Sequence, residues 1–86
     1  MLSQTFVITN SVGLHMRPAA VFAEAMGHFQ CRTTILFKGN RIDAKSVLNI
    51  MMAAIICGSE ITLECDGSDE QEAMQKAAQL INGGLE

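Results

Sequence analysis

Two side chains in the run Gly13-Leu14-His15-Met16-Arg17-Pro18-Ala19-Ala20 carry reactive chemistry, an imidazole and a guanidinium two positions apart. Histidine titrates near neutral pH and then offers a ring nitrogen lone pair, which makes it a nucleophile. Arginine presents a planar fork that matches phosphate oxygens. Their surroundings predict the start of a helix at Met16, with Pro18 in its first turn, where a missing N–H costs nothing. A helix start leaves backbone N–H groups unpaired and carries the positive end of the dipole, so it favours an anion. Read from the residues alone, His15 is either a phosphoryl acceptor beside Arg17 or a surface histidine that caps a helix.

The other reactive residues are scattered. His28 follows Gly27 with no chemical neighbour in sequence and reads as a solvated loop residue. Cys31, Cys57 and Cys65 are odd in number and lack paired metal spacing, so we read them as reduced packing cysteines. Two distant histidines and three dispersed cysteines do not make a zinc site, and Asp66, Asp69 and Glu70 lack the pattern of a calcium loop. No metal or cofactor is expected.

The elements that must position His15 follow from periodicity. Gln4 to Ile8 reads as a strand with Phe6 and Ile8 on one face, and Asn10 to Gly13 as a turn. Ala19, Phe22, Ala23 and Met26 recur at helical spacing up to the stop at Gly27. Arg17 is in tension with this helix, because a residue before proline avoids helical angles. Cys31, Thr33, Ile35 and Phe37 alternate along a second strand, and Gly39-Asn40 predicts a hairpin returning through Arg41 to Asp43. Ser46 is placed to cap a short helix from Val47 to about Ala53. Glu60 to Cys65 alternates again, with Ile61, Leu63 and Cys65 inward. Ser68-Asp69-Glu70-Gln71 reads as a capping box for a last helix, buried through Ala73, Ala77, Leu80 and Ile81 and ended by Gly83-Gly84.

The order β-α-β-β-α-β-α predicts an α+β fold, a small antiparallel sheet with helices on one face. The 86 residues make a single domain, 1–86, and the 49% hydrophobic content excludes disorder. Six basic residues in a chain of net charge −3 argue against nucleic acid. The longest apolar run, Ile50 to Cys57, is far short of the roughly 20 residues that span a bilayer. Residues 1–20 lack the basic start and apolar stretch of a signal peptide. We therefore expect a cytoplasmic monomer without direct membrane insertion. The helix from Val47 is apolar nearly all round, so part of it should face outward.

Gly-Leu-His-x-Arg-Pro-Ala in a chain of this length resembles the HPr family, the histidine-containing phosphocarriers of the bacterial sugar phosphotransferase system. The resemblance continues through Ala44-Lys45-Ser46, similar to the family's second phosphorylation region, and through Gly67-Ser68-Asp69-Glu70. It implies an open-faced β-sandwich and a carrier rather than an enzyme. His15 would accept a phosphoryl group from phosphoenolpyruvate-charged enzyme I on its δ nitrogen and pass it to an enzyme IIA of sugar transport, with Arg17 steadying it. Ser46 would be a regulatory site for an HPr kinase/phosphorylase. Met16, Ala20, Val47, Leu48 and Met51 would form the docking face for partners. The nitrogen-related or catabolite-regulation paralogues of the family imply an alternative, a regulatory module whose phosphorylation state controls partner binding. Met16 is bulkier than the alanine or threonine common beside the histidine, and Ala54 stands where many members carry glycine. These departures leave the chemistry intact and bear on partner choice.

Overall fold

The computed structural model describes residues 1–83 and Leu85. Its elements are β1 (Leu2–Val7), α1 (Met16–Gly27), β2 (Arg32–Phe37), β3 (Asn40–Asp43), α2 (Val47–Met52), β4 (Glu60–Asp66) and α3 (Glu70–Asn82). The strands form one antiparallel sheet in the order β1-β4-β2-β3. Alternation decides its faces, as the period-2 pattern predicts. Phe6, Ile35, Phe37, Ile61, Leu63 and Cys65 are buried beneath the helices, whereas Ser3, Thr5, Arg32 and Glu60 face outward and are exposed. The fold is the α+β arrangement expected from the order of elements, and the open-faced sandwich that the resemblance implies.

Helix α1 presents Ala19, Phe22, Ala23 and Met26 to the sheet, and all four are buried. Phe22 is the largest side chain that the fold closes over completely, and burying one of that size stabilises by about 1.5–3 kcal/mol. On α3 the stripe is Ala73, Ala77 and Ile81 with Met74 added, while Leu80 is only half-buried. Ile50 anchors α2 to the core.

Several boundaries differ from the sequence expectation, each for a local reason. Strand β1 starts at Leu2, because its ladder with β4 runs from Leu2–Cys65 to Val7–Glu60. Ile8 lies just past the strand yet exchanges bonds with the same segment, its N–H donating to Ser59 and its carbonyl accepting from Gly58. Cys31 falls outside β2 because its N–H donates to the Asp69 carboxylate (2.9 Å) rather than to a strand. The hairpin turn is Lys38-Gly39, one residue earlier than Gly39-Asn40. Both have positive φ (50° and 80°), as a two-residue turn that matches strand twist requires, and Asn40 pairs with Phe37. Gly27 is the last residue of α1 rather than a left-handed stop. His28 caps the helix in right-handed geometry, and its N–H still reaches the Ala25 carbonyl.

The capping box also shifts. Asp69, not Ser68, is the N-cap of α3, and its carboxylate turns away from the helix to accept from the N–H groups of Gln30 and Cys31. Glu70 reaches back to the Gly67 N–H at 3.1 Å. Gly83 caps the far end of α3, and Gly84, the second half of the expected stop, lies outside the described residues. Of the three cysteines, Cys31 and Cys65 are buried free thiols, but Cys57 is exposed on a loop, contrary to its reading as a packing residue. Burial pushes the Cys65 thiol up to about 12, so it stays protonated and unreactive at neutral pH.

Asp69 fastens the start of α3 to the chain leaving α1. The N–H of Gln30, then that of Cys31, holds its carboxyl below the ordinary value of 3.8. A folded-state pKa below the unfolded one adds stability that is present above the unfolded value and lost as pH falls through the folded one. Wild-type protein should therefore lose stability as pH drops below about 4. Asp69→Asn, which cannot ionise, should start less stable at pH 7 and show a shallower acid decline; parallel urea unfolding series from pH 7 to pH 2 measure both.

Candidate functional site

His15 is the N-cap residue of α1, with extended backbone (φ −78°, ψ −166°) and an exposed side chain. Its carbonyl accepts the first helical bond, from the Ala19 N–H at 2.8 Å. Hydrogen bonding within α1 thus begins at Ala19, one residue past Pro18, whose absent N–H falls among the groups that a helix leaves unpaired. Arg17 occupies the second helical position despite the following proline, so the extended preference of a pre-proline residue is overridden here, and the Pro18 nitrogen itself costs no backbone bond. The imidazole makes no capping hydrogen bond to α1, which removes the reading of His15 as a side-chain cap. Met16 and Arg17 are exposed beside it.

The approach to His15 is built by close backbone contact. Gly13 has φ +65° and lies against the segment following α2. A Cβ there would run into the Ile55 carbonyl and meet the Ile56 Cα at 2.7 Å, so this glycine is required by space as well as by conformation. The next N–H, that of Leu14, donates to the same Ile55 carbonyl at 2.8 Å, and the Leu14 side chain enters the core. Ala54 carries the chain out of α2 with φ 55°, a conformation in which glycine would be less strained.

Helices α1 and α2 pack on one another, and the bond to Ile55 sets the His15 end of α1 beside the exit of α2. Ser46 lies at the opposite end of α2, about 10 Å away along a helix rising 1.5 Å per residue. Its hydroxyl accepts from the Asn49 N–H at 3.2 Å, the capping bond expected of it. Of the residues that the resemblance assigns to docking, Met16 and Leu48 are two-thirds exposed, while Ala20, Val47 and Met51 are half-buried. Met52 (74% exposed), Ile56 (63%) and Val12 (47%) extend the exposed apolar set and were missed by sequence reasoning. The i, i+4 spacing of Leu48 and Met52 was the available signal for one face of α2.

A broad depression of about 900 Å³ opens elsewhere, among Gln30, Arg32, Thr34, Arg41, Asp43 and Asp66. We give it no role in the chemistry. His15 and Arg17 do not line it, and Arg41 within it is already paired with Glu64 at 2.9 Å.

An exposed histidine at the mouth of a helix, on an open-faced sandwich of this topology, is the arrangement that the sequence resemblance implies. The family described as the PTS HPr component phosphorylation site matches residues 2–83. The phosphocarrier protein HPr of Cupriavidus necator is 42% identical over 81 residues, 94% of this chain and 91% of that protein. The HPr-like protein Crh of Bacillus subtilis is 35% identical over 94% of this chain and 95% of its own. Among solved structures, HPr of Thermoanaerobacter tengcongensis superposes with a TM-score of 0.96 at 32% identity, covering 99% of this chain and 96% of that one. The chain belongs to the HPr family.

Because Gly13 holds the loop down onto Ile55 and Ile56, Gly13→Ala should loosen the seat of His15 and strain the backbone. We expect a loss of about 1–3 kcal/mol in urea unfolding. Stability equal to wild type would mean that the loop has room to move away from the segment after α2.

Proposed function

We propose that this protein is a cytoplasmic, monomeric phosphoryl carrier of the phosphotransferase system, loaded on His15 by enzyme I and unloaded by an enzyme IIA. Membership of the HPr family supports the carrier role, and the exposed, uncapped imidazole at the start of α1 is the observation that carries the choice of residue. In the transfer, a lone pair of the His15 δ nitrogen attacks phosphorus. The new P–N bond forms as the bond to the donor breaks, and the donor keeps that electron pair. The phosphoryl oxygens then meet the unpaired N–H groups of the first turn and the Arg17 guanidinium. That hold must stay weak, because a carrier that binds its cargo strongly passes it on slowly. Met16 and Leu48, with Ala20, Val47 and Met51 behind them, are the proposed docking face.

The test of the acceptor is direct. Wild-type protein incubated with phosphoenolpyruvate and enzyme I should gain one acid-labile phosphate, and His15→Ala should gain none; persistent labelling of the variant would move the site elsewhere. Arg17→Ala should transfer roughly ten- to hundredfold more slowly, the effect of losing a charge-assisted contact of about 1.5–3 kcal/mol. Arg17→Lys should recover only part of that rate, because an ammonium lacks the fork. Wild-type rates in both variants would make Arg17 a bystander.

A second reading, a regulatory module, is favoured by the likeness to the Crh protein and by the placing of Ser46. A phosphate on Ser46 would add about −1.5 to −2 charges at the positive end of α2, where the fold tolerates it, but next to exposed Leu48, where an apolar partner would not. Ser46→Asp should keep its melting temperature, since a carboxylate also caps, yet accept phosphate from enzyme I more slowly. Unaltered transfer would leave the cap as the whole role of Ser46. Relay of phosphate from His15 onto an enzyme IIA separates the two readings, because a purely regulatory module need not perform it.

A further inference from the structure

His15 takes its aim from its backbone, since its ring makes no capping bond that would orient it. What fixes that backbone is the peptide unit between Gly13 and Leu14, formed by the Gly13 carbonyl and the Leu14 N–H and joined to His15 through Leu14, whose side chain is held in the core. The Leu14 N–H donates to Ile55 at 2.8 Å, and the Gly13 carbonyl accepts from the side-chain amide of Asn10. The unit is therefore gripped from both sides. Asn10 also accepts from the Gly13 N–H with its own carbonyl (3.0 Å), so backbone and side chain close the turn reciprocally. Asn10 is only 7% exposed, and Gly13 is buried. An apolar residue would fill the same space but leave the Gly13 carbonyl buried without that donor.

We propose that Asn10 is a positioning residue for phosphoryl transfer at His15, acting by locking the Gly13–Leu14 peptide plane. The inference rests on His15 being the acceptor. It concerns the rate of the chemical step and not docking, because Asn10 is buried and is not among the residues of the proposed docking face. Transfer requires an in-line approach of the δ nitrogen to phosphorus, and a misplacement of about 1 Å costs on the order of a hundredfold. An unlocked Gly13–Leu14 plane frees Leu14, and through it the backbone of His15.

The experiment compares full-length wild type with Asn10→Ala and with Asn10→Asp, which keeps the shape but only accepts at neutral pH. Amide exchange and ¹⁵N order parameters for Gly13 to Met16 report the lock. Steady-state transfer from enzyme I, with this protein as the varied substrate, reports its consequence. Both variants should show faster exchange at Leu14 and lower order at His15. They should lose roughly tenfold or more in kcat, with KM within about twofold of wild type. Unchanged order at His15, an unchanged kcat, or a rise in KM alone would overturn the proposal. Unfolding of both variants would do so as well, by assigning Asn10 to the fold. If wild-type protein accepted no phosphate from enzyme I, the carrier reading would fall, whereas the order parameters would still decide whether Asn10 fixes His15.

Discussion

The hydrogen bond from the Leu14 N–H to the Ile55 carbonyl is the constraint on which the site depends. It joins the loop that delivers His15 to the segment that leaves α2, elements separated by about forty residues of chain. Neither partner is free to drift. Leu14 and Ile55 both send their side chains into the core, so the bond is anchored from below on each side. Gly13 allows the approach, since any larger residue would collide with the Ile55 carbonyl that accepts the bond. The consequence is that α1 and α2 present His15, Met16, Leu48 and Met52 from one connected framework rather than from two independently mobile loops.

A carrier has requirements opposite to those of an enzyme. It must offer its nucleophile to more than one partner, so a deep pocket would obstruct it. His15 is exposed, and the broad depression of the surface lies among other residues, one of which, Arg41, is paired with Glu64. The exposed methionines and leucine suit this economy, because flexible unbranched side chains adapt to differently shaped surfaces. Stability is supplied elsewhere, by Phe22 and Met26 on α1, by the inward faces of β2 and β4, and by the tie from Asp69 to Gln30 and Cys31.

Much of this architecture was legible in the residues. Alternation along Glu60–Cys65 and helical spacing from Ala19 to Met26 report burial directly, because one face of each element is buried and the other is not. Along Cys31–Phe37 the inward set Cys31, Thr33, Ile35 and Phe37 is buried as expected, but Thr34 of the opposite face is buried too. The Ser46 cap was equally plain. What stayed hidden were contacts between residues distant in the chain. Asp69 reads as part of a capping box, since sequence shows its neighbours in α3 but not the N–H groups of Gln30 and Cys31 that claim its carboxylate. Lys38 gives no sign of its positive φ, which the twist of the β2–β3 hairpin imposes. Asn10 reads only as a turn former, and its grip on the Gly13–Leu14 peptide emerges when Ile55 is brought to the other side. The site followed the same rule: His15 and Arg17 are local in sequence, whereas Val12, Met52 and Ile56 become exposed only through the packing of the fold.

The central claim is that phosphate enters and leaves through the ring of His15. The most direct measurement is a proton–nitrogen correlation spectrum of the two imidazoles, recorded on uniformly ¹⁵N-labelled protein before and after loading by enzyme I and phosphoenolpyruvate. The account predicts that the His15 ring nitrogens shift, in the pattern of substitution at the δ position, that those of His28 stay in place, and that the shifts reverse when an enzyme IIA is added. Phosphate on His28, or loaded protein whose His15 ring signals have not moved, would contradict it.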